Sequence, residues 1–121
     1  MTLESDMHLA LDRDEFFLVY QPQLRIGSGR ISGFEALIRW RHPTMGVLIP
    51  DQFIGIAEKC GLILPIGEWV LKTSCAQARQ WQVAGHFTGS MAVNVSAVQI
   101  SELSFVPQIK EVLDQTGLSA E

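Results

Sequence analysis

The chain has 121 residues, of which 47% are hydrophobic and 18% are charged. This balance indicates a folded globular protein and excludes a disordered chain, which would combine few apolar residues with a high net charge. The formal net charge of −4 argues against a protein that holds a nucleic-acid polymer by its phosphates, because that mode of binding needs clustered basic residues.

The sequence also carries signals about the compartment in which the protein works. It contains no run of 18 apolar residues, so we expect no membrane segment in this chain. Its N-terminal stretch has acidic residues where a signal peptide needs a basic region and an apolar core. Cys60 and Cys75 are too few for a disulfide framework, which fits a reducing compartment. A cytoplasmic location is therefore expected.

The first half of the chain predicts a short helix followed by a β-hairpin. Apolar residues recur at helical spacing in residues 2–13. Residues 16–26 and 31–40 are rich in aromatic and β-branched side chains, which predicts two strands. Residues 27–29 read Gly-Ser-Gly, which is typical of a turn because glycine reaches positive φ without steric cost. Residues 42–50 contain two prolines and are predicted to form a loop.

The second half predicts three helices and one strand. Residues 51–59, 65–82 and 105–116 place apolar side chains on a helical period. Residues 91–96 are β-branched and short, which predicts a buried strand. Two strands, two helices, a strand and a helix form an α/β order, which favours parallel β-α units after the initial hairpin.

The second predicted strand carries polar residues on one face. Because side chains alternate along a strand, Glu35, Leu37 and Arg39 share a side. One interpretation is the wall of a site, with a carboxylate for a metal ion and a guanidinium for a phosphate. The other is an ordinary solvated strand face or a local ion pair. These residues alone leave both interpretations open.

Asn94 interrupts the valine-rich strand predicted over residues 91–96. An amide is costly to bury without hydrogen-bonding partners, so its position calls for an explanation. Asn94 could act as a neutral metal ligand, or its amide could cap a nearby turn. The strand pattern does not distinguish these two roles.

Residues 35–40 read EALIRW, and this stretch resembles the signature of EAL domains, the bacterial phosphodiesterases that hydrolyse cyclic di-GMP. The resemblance extends over nearly the whole chain, because further segments occur in the family's order and spacing. These segments are Tyr20-Gln21-Pro22, Arg41-His42-Pro43, Gly46 with Pro50, Phe53-Ile54, Ala57-Glu58, Gly67 with Trp69-Val70-Leu71, Asn94-Val95-Ser96, Gln99 and Gly117-Leu118.

The resemblance implies an α/β fold, namely the N-terminal half of a modified (β/α)8 TIM-type barrel with an initial antiparallel hairpin. A complete barrel of this type takes about 250 residues, so residues 1–121 are expected to form a partial EAL domain. In the family, the later strands carry further acidic metal ligands and a catalytic lysine. The isolated chain is therefore expected to be inactive.

The resemblance also assigns roles to individual residues. It implies that Glu35 and Asn94 bind one or two divalent cations, Mg²⁺ or Mn²⁺, in the complete domain, and in this chain alone we expect the cation to be weakly bound or absent. It implies that Arg39 contacts a phosphate of cyclic di-GMP and that Gln21 and Leu37 line the nucleotide pocket. No role follows for Glu58 from the sequence.

Three hypotheses about function remain at this point. The chain could be part of a bacterial cyclic di-GMP phosphodiesterase, or a non-catalytic module that binds cyclic di-GMP or a protein. It could also be a half-barrel that assembles into a homo-oligomer, most simply a dimer, through its exposed sheet. Because Glu35 and Asn94 are both present, descent from an active enzyme is favoured.

Overall fold

The fold is built on one four-stranded sheet with α-helices packed against it. The computed structural model describes residues 3–85 and 89–118. The elements in chain order are α1 Leu3–Ala10, β1 Phe16–Leu24, β2 Ile31–His42, β3 Gly46–Leu48, α2 Pro50–Cys60, α3 Ile63–Val83, β4 Ser90–Val93, α4 Ala97–Ile100 and α5 Phe105–Thr116.

The predicted hairpin is present. β1 and β2 pair antiparallel from Phe16 opposite Trp40 to Leu24 opposite Ile31. At the turn, the backbone N–H of Arg25 donates to the carbonyl of Arg30 at 2.7 Å. This bond closes the turn, and β1 accordingly ends at Leu24 rather than at residue 26.

The predicted parallel unit is also present. β4 pairs with β2 in parallel, from Gly33 opposite Ser90 to Ala36 opposite Val93. α2 and α3 form the connection between these two strands. Pro65 lies in the first turn of α3, where its missing N–H has no intrahelical partner to lose. No helix within the described residues combines the length and the apolarity needed to cross a membrane.

The predicted loop over residues 42–50 is wrong in part, because it contains a third strand. β3 pairs antiparallel with the end of β2, with Leu48 opposite Trp40 and Gly46 opposite His42. The ring nitrogen Nδ1 of His42 accepts hydrogen bonds from the backbone N–H groups of Thr44 and Met45, at 3.2 and 3.1 Å. These hydrogen bonds stabilise a tight turn between β2 and β3, which the two prolines in this segment did not indicate.

The predicted strand over residues 91–96 is too long. β4 ends at Val93, and α4, which the sequence pattern did not predict, begins at Ala97. Ser96 explains the difference, because its hydroxyl accepts a hydrogen bond from the backbone N–H of Val98 at 3.2 Å. This N-cap starts the helix and takes the chain out of the sheet.

An aromatic core fills the space between the start of the hairpin and α2. The ring centroids of Phe16 lie 5.6 Å from Trp40 and 5.8 Å from Phe53. Trp40 and Phe53 are fully buried, and Met7 of α1 packs into the same cluster. The indole N–H of Trp40 donates to Glu15 at 3.0 Å, so its polar atom is satisfied.

Candidate functional site

The hairpin brings the predicted polar residues onto one face of the sheet. Gln21 lies directly opposite Glu35, and Val19 lies opposite Leu37. Opposed residues of an antiparallel pair share a face, and alternation along β2 adds Arg39 to it. Gln21 is exposed and Glu35 is partly exposed, so this face of the hairpin is open at the level of Glu35.

Glu35 and Asn94 contact each other although 59 positions separate them in the sequence. The Nδ2 group of Asn94 donates to Oε2 of Glu35 at 3.0 Å. Asn94 comes directly after Val93, the last residue of β4, and Val93 pairs with Ala36 of β2. The parallel pairing of β2 and β4 is therefore what brings the two predicted metal ligands together.

Arg39 lies further along the same face of β2. The rise of about 3.3 Å per residue places its α-carbon about 13 Å from that of Glu35. Its Nη1 donates to the carbonyl of Ile38 at 2.8 Å. A guanidinium has five N–H donors, so this bond leaves several of them available to an anion.

A cavity of about 450 Å³ opens beside these residues. It lies between β2, α2, α3 and the segment that follows β4. Its wall is mainly apolar and includes Leu37 and Asn94 of the predicted site, whereas Gln21, Glu35 and Arg39 are not among the lining residues. Its polar lining comes from Asp51, Glu58, Asn94, Ser96 and Gln99.

Glu35 and Asn94 fit part of a site for Mg²⁺ or Mn²⁺. Carboxylate and amide oxygens are the ligands that such hard cations prefer, and the two side chains meet within hydrogen-bonding distance. Asn94 would present its carbonyl oxygen after a half-turn of the amide, which is a low-cost rotation. Within the described residues, no group of three or more His, Cys, Asp or Glu side chains could hold a metal ion.

The sequence reasoning missed a second polar cluster beside Asn94. The hydroxyl of Ser96 donates to Oε2 of Glu58 at 2.6 Å. The side chain of Gln99 accepts from the backbone N–H of Ser96 at 3.0 Å. Ser96 and Gln99 form a capping box, whose Ser-x-x-Gln pattern is visible in the sequence. That pattern could have predicted α4, but it carries no information about Glu58.

Two partly buried groups outside the predicted site have pKa values that are raised by burial. Burial raises the pKa of the Tyr20 hydroxyl, and the ring of Tyr20 packs edge-on against Trp81. Burial also raises the pKa of the Cys75 thiol, and a hydrogen bond with Ser74 opposes this effect. In both cases the neutral form is favoured.

Comparison with known proteins gives a consistent result. The chain is 41% identical over 120 residues to the cyclic di-GMP phosphodiesterase NbdA of Pseudomonas aeruginosa, and the match covers 99% of this chain and 15% of NbdA. It is 46% identical over 121 residues to an uncharacterized protein of Mycobacterium tuberculosis, where it covers 98% of this chain and 39% of that protein.

Solved structures agree with these matches. The PaMucR phosphodiesterase in complex with c-di-GMP superposes with a TM-score of 0.94 at 42% identity, over 98% of this chain and 48% of that one. The FimX EAL domain of Xanthomonas citri in complex with c-diGMP gives a TM-score of 0.77 at 28% identity, over 94% and 44% of the two chains.

The chain thus spans about half the length of these solved chains and less of the curated relatives. The fold class predicted from the sequence, an α/β part of an EAL-type barrel with an initial antiparallel hairpin, is confirmed. The family model for the EAL domain matches residues 4–121. The chain therefore belongs to the EAL domain family.

Proposed function

We propose that this chain supplies part of the site of a bacterial cyclic di-GMP phosphodiesterase. The observation that carries the proposal is the 3.0 Å contact between Glu35 and Asn94. A carboxylate and an amide from sequence-distant strands converge at the carboxyl end of β4, which is the end where barrels of this type carry their sites. The similarity to NbdA and to the PaMucR complex favours the same substrate.

Each residue has a distinct role in this proposal. Glu35 and Asn94 offer oxygen ligands to Mg²⁺ or Mn²⁺. Arg39 binds a phosphate through its free guanidinium donors, while Gln21 and Leu37 contact the nucleotide from the face that they share with Glu35. When bound, the cation supplies activation of water and neutralises charge on the phosphodiester.

We further propose that the 121-residue chain alone does not hydrolyse cyclic di-GMP. Glu35 and Asn94 provide two ligands, and an octahedral cation held by two protein ligands remains mostly hydrated. A water molecule on such a cation would be poorly oriented for attack on phosphorus. The proposed domain assignment, a partial EAL domain over residues 1–121, has the same consequence.

The test is to incubate purified chain with cyclic di-GMP and Mg²⁺ or Mn²⁺ and to separate the nucleotides by chromatography. We expect no linear dinucleotide. Its appearance would refute the proposed inactivity, and loss of that product in Glu35→Gln would then assign the activity to this site.

Calorimetry on the same samples tests non-catalytic binding of cyclic di-GMP, for which the affinity should fall in Arg39→Ala. Affinity in the submicromolar range that survives Arg39→Ala would contradict the role given to Arg39.

A specific observation also favours self-association. Within the described residues, β4 pairs with β2 alone, so its other edge offers unpaired backbone groups. Exposed apolar side chains cluster at the far end of the hairpin, at Leu24, Ile26 and Ile31. We propose a homo-oligomer, most simply a dimer, and expect Ala92→Lys on β4 to dissociate it. Light scattering that shows a stable 13.4 kDa monomer at high concentration would contradict this proposal.

A further inference from the structure

Glu58 makes the shortest side-chain hydrogen bond near the predicted metal ligands. Its Oε2 accepts from the hydroxyl of Ser96 at 2.6 Å, across 38 positions of sequence. Both residues are partly buried. A hydroxyl that donates to an ionised carboxylate makes a short, strong bond. This contact therefore ties the C-terminal half of α2 to the segment after β4.

Ser96 is held from more than one side. Besides donating to Glu58, its hydroxyl accepts from the N–H of Val98 at 3.2 Å, and its own backbone N–H donates to Gln99 at 3.0 Å. Both hydroxyl functions and the backbone donor are thus engaged. With its hydroxyl proton directed at Glu58, the oxygen lone pair is oriented toward the start of α4.

Gly67 supports the same cluster from α3. Gln99 is buried, and a Cβ atom on Gly67 would overlap its carboxamide. A glycine in a helix interior is less favourable than an alanine, because it loses more conformational freedom on folding. The close approach of Gln99 gives a physical reason for glycine at this position.

These contacts restrict the position of Asn94. Val93 is fixed by its pairing with Ala36, and Ser96 is fixed by Glu58 and by the cap of α4. Only Asn94 and Val95 lie between these two anchors. Asn94 itself is exposed, so the anchors on either side, together with its bond to Glu35, restrict its position.

We propose that Glu58 is a positioning residue for the metal site. Its carboxylate holds Ser96, and the anchored Ser96 holds the amide of Asn94 in reach of the cation shared with Glu35. This inference rests on the proposed function. Glu58 does not itself ligate the cation in this proposal, because its carboxylate oxygen is directed at Ser96.

The test uses the purified chain and two independent readouts, Mn²⁺ affinity and the NMR order parameter of the Asn94 backbone. In Glu58→Ala, which removes the acceptor of the Ser96 hydroxyl, we expect Mn²⁺ affinity to fall by about tenfold, the lower end of the range for losing support around a ligand. We expect the order parameter of Asn94 to fall from about 0.85 to below about 0.6. Ser96→Ala should behave alike, and Ser96→Thr, which retains a hydroxyl, should restore both values.

Glu111→Ala is the matched control. Glu111 lies exposed on α5 and accepts a hydrogen bond from Gln115 at 3.2 Å. The substitution removes the same charge without touching the segment between β4 and α4. We expect it to leave Mn²⁺ affinity within twofold of the unaltered chain and the order parameter of Asn94 near about 0.85.

The outcomes separate the positioning proposal from the proposed function. If Glu58→Ala lowers the free energy of unfolding but leaves Asn94 ordered, Glu58 is only a structural residue and the positioning proposal is wrong. If the unaltered chain binds no Mn²⁺, two ligands do not hold the cation without the rest of the domain, which overturns metal binding by this chain alone and not the positioning of Asn94. In that case the order parameter of Asn94 alone tests whether Glu58 positions Asn94.

Discussion

The aromatic core and the rim around Asn94 are built on opposite physical principles. In the core, Trp40 and Phe53 are fully buried and contact other rings. At the rim, Glu35, Asn94 and Ser96 are partly or largely exposed and are held by hydrogen bonds of 2.6 to 3.2 Å. Both regions depend on β2, which carries Trp40 near one end and Glu35 near its middle.

Stability and the proposed function therefore depend on different parts of β2, the first on Trp40 and the second on Glu35. Burying an aromatic side chain contributes several kcal/mol, whereas a typical hydrogen bond contributes about 1 kcal/mol net. Changes in the core should therefore alter the free energy of unfolding. Changes at the rim should alter ligand affinity and leave most of the stability in place.

The largest expected effect is in the core. Trp40→Ala removes a fully buried indole and should lower the free energy of unfolding by about 3–5 kcal/mol. Urea denaturation followed by circular dichroism measures this loss. The control is Val83→Ala, at a side chain that is 72% exposed, which should change stability by less than about 0.5 kcal/mol. Equal urea denaturation midpoints for Trp40→Ala and Val83→Ala would contradict the prediction that the aromatic core contributes more stability than the surface.

A pair of glycines tests the packing behind the rim. Gly67→Ala places a methyl group onto the carboxamide of Gln99, and such overpacking should cost about 1–3 kcal/mol. Gly55→Ala in α2 meets no atom within 4 Å and should stabilise the helix by up to about 1 kcal/mol. Denaturation midpoints should thus move in opposite directions. A gain in stability for both variants would show that the carboxamide of Gln99 moves away from the added methyl group at little cost in free energy.

Glu35 tests the rim itself. Glu35→Gln removes the only carboxylate of the proposed ligand pair, and Mn²⁺ affinity should fall by at least about tenfold. Stability should change little, because Glu35 is partly exposed and its one hydrogen bond can be kept by the new amide. Calorimetric titration with Mn²⁺ measures the affinity. Unchanged affinity would place the cation elsewhere.

The smallest effect concerns the thiol of Cys75, whose pKa burial raises above its ordinary value of 9.0. Above pH 9.0 the unfolded chain loses this proton before the folded chain does. The contribution of Cys75 to the free energy of unfolding is therefore fully present below pH 9.0. It is lost as the pH rises through the pKa of the thiol in the folded chain. Cys75→Ala should flatten this decline in denaturation midpoints measured against pH. An unchanged slope would assign the decline to other groups, such as Tyr20, whose pKa is also raised.

Much of the fold could be predicted because its signals are local. Runs rich in aromatic and β-branched residues on both sides of a Gly-Ser-Gly turn predict the hairpin, and helical periodicity predicts α2, α3 and α5 within two residues of their observed ends. Strand alternation also placed Glu35, Leu37 and Arg39 on one face. The assigned roles of these residues stay predictions, as does the oligomeric state.

The sequence alone established the family, the order of the main elements without β3 and α4, and the face on which the predicted site lies. Each of these depends on residues close together in the chain or on a resemblance spread along it. The turn before β3 and the early end of β4 rest on short-range hydrogen bonds of His42 and Ser96, which the strand and helix patterns did not reveal. Only the tertiary structure established the pairs Glu35–Asn94 and Glu58–Ser96, which join residues 59 and 38 positions apart. No periodicity or propensity encodes such pairs, since they arise only when parallel strands and packed helices bring distant segments together.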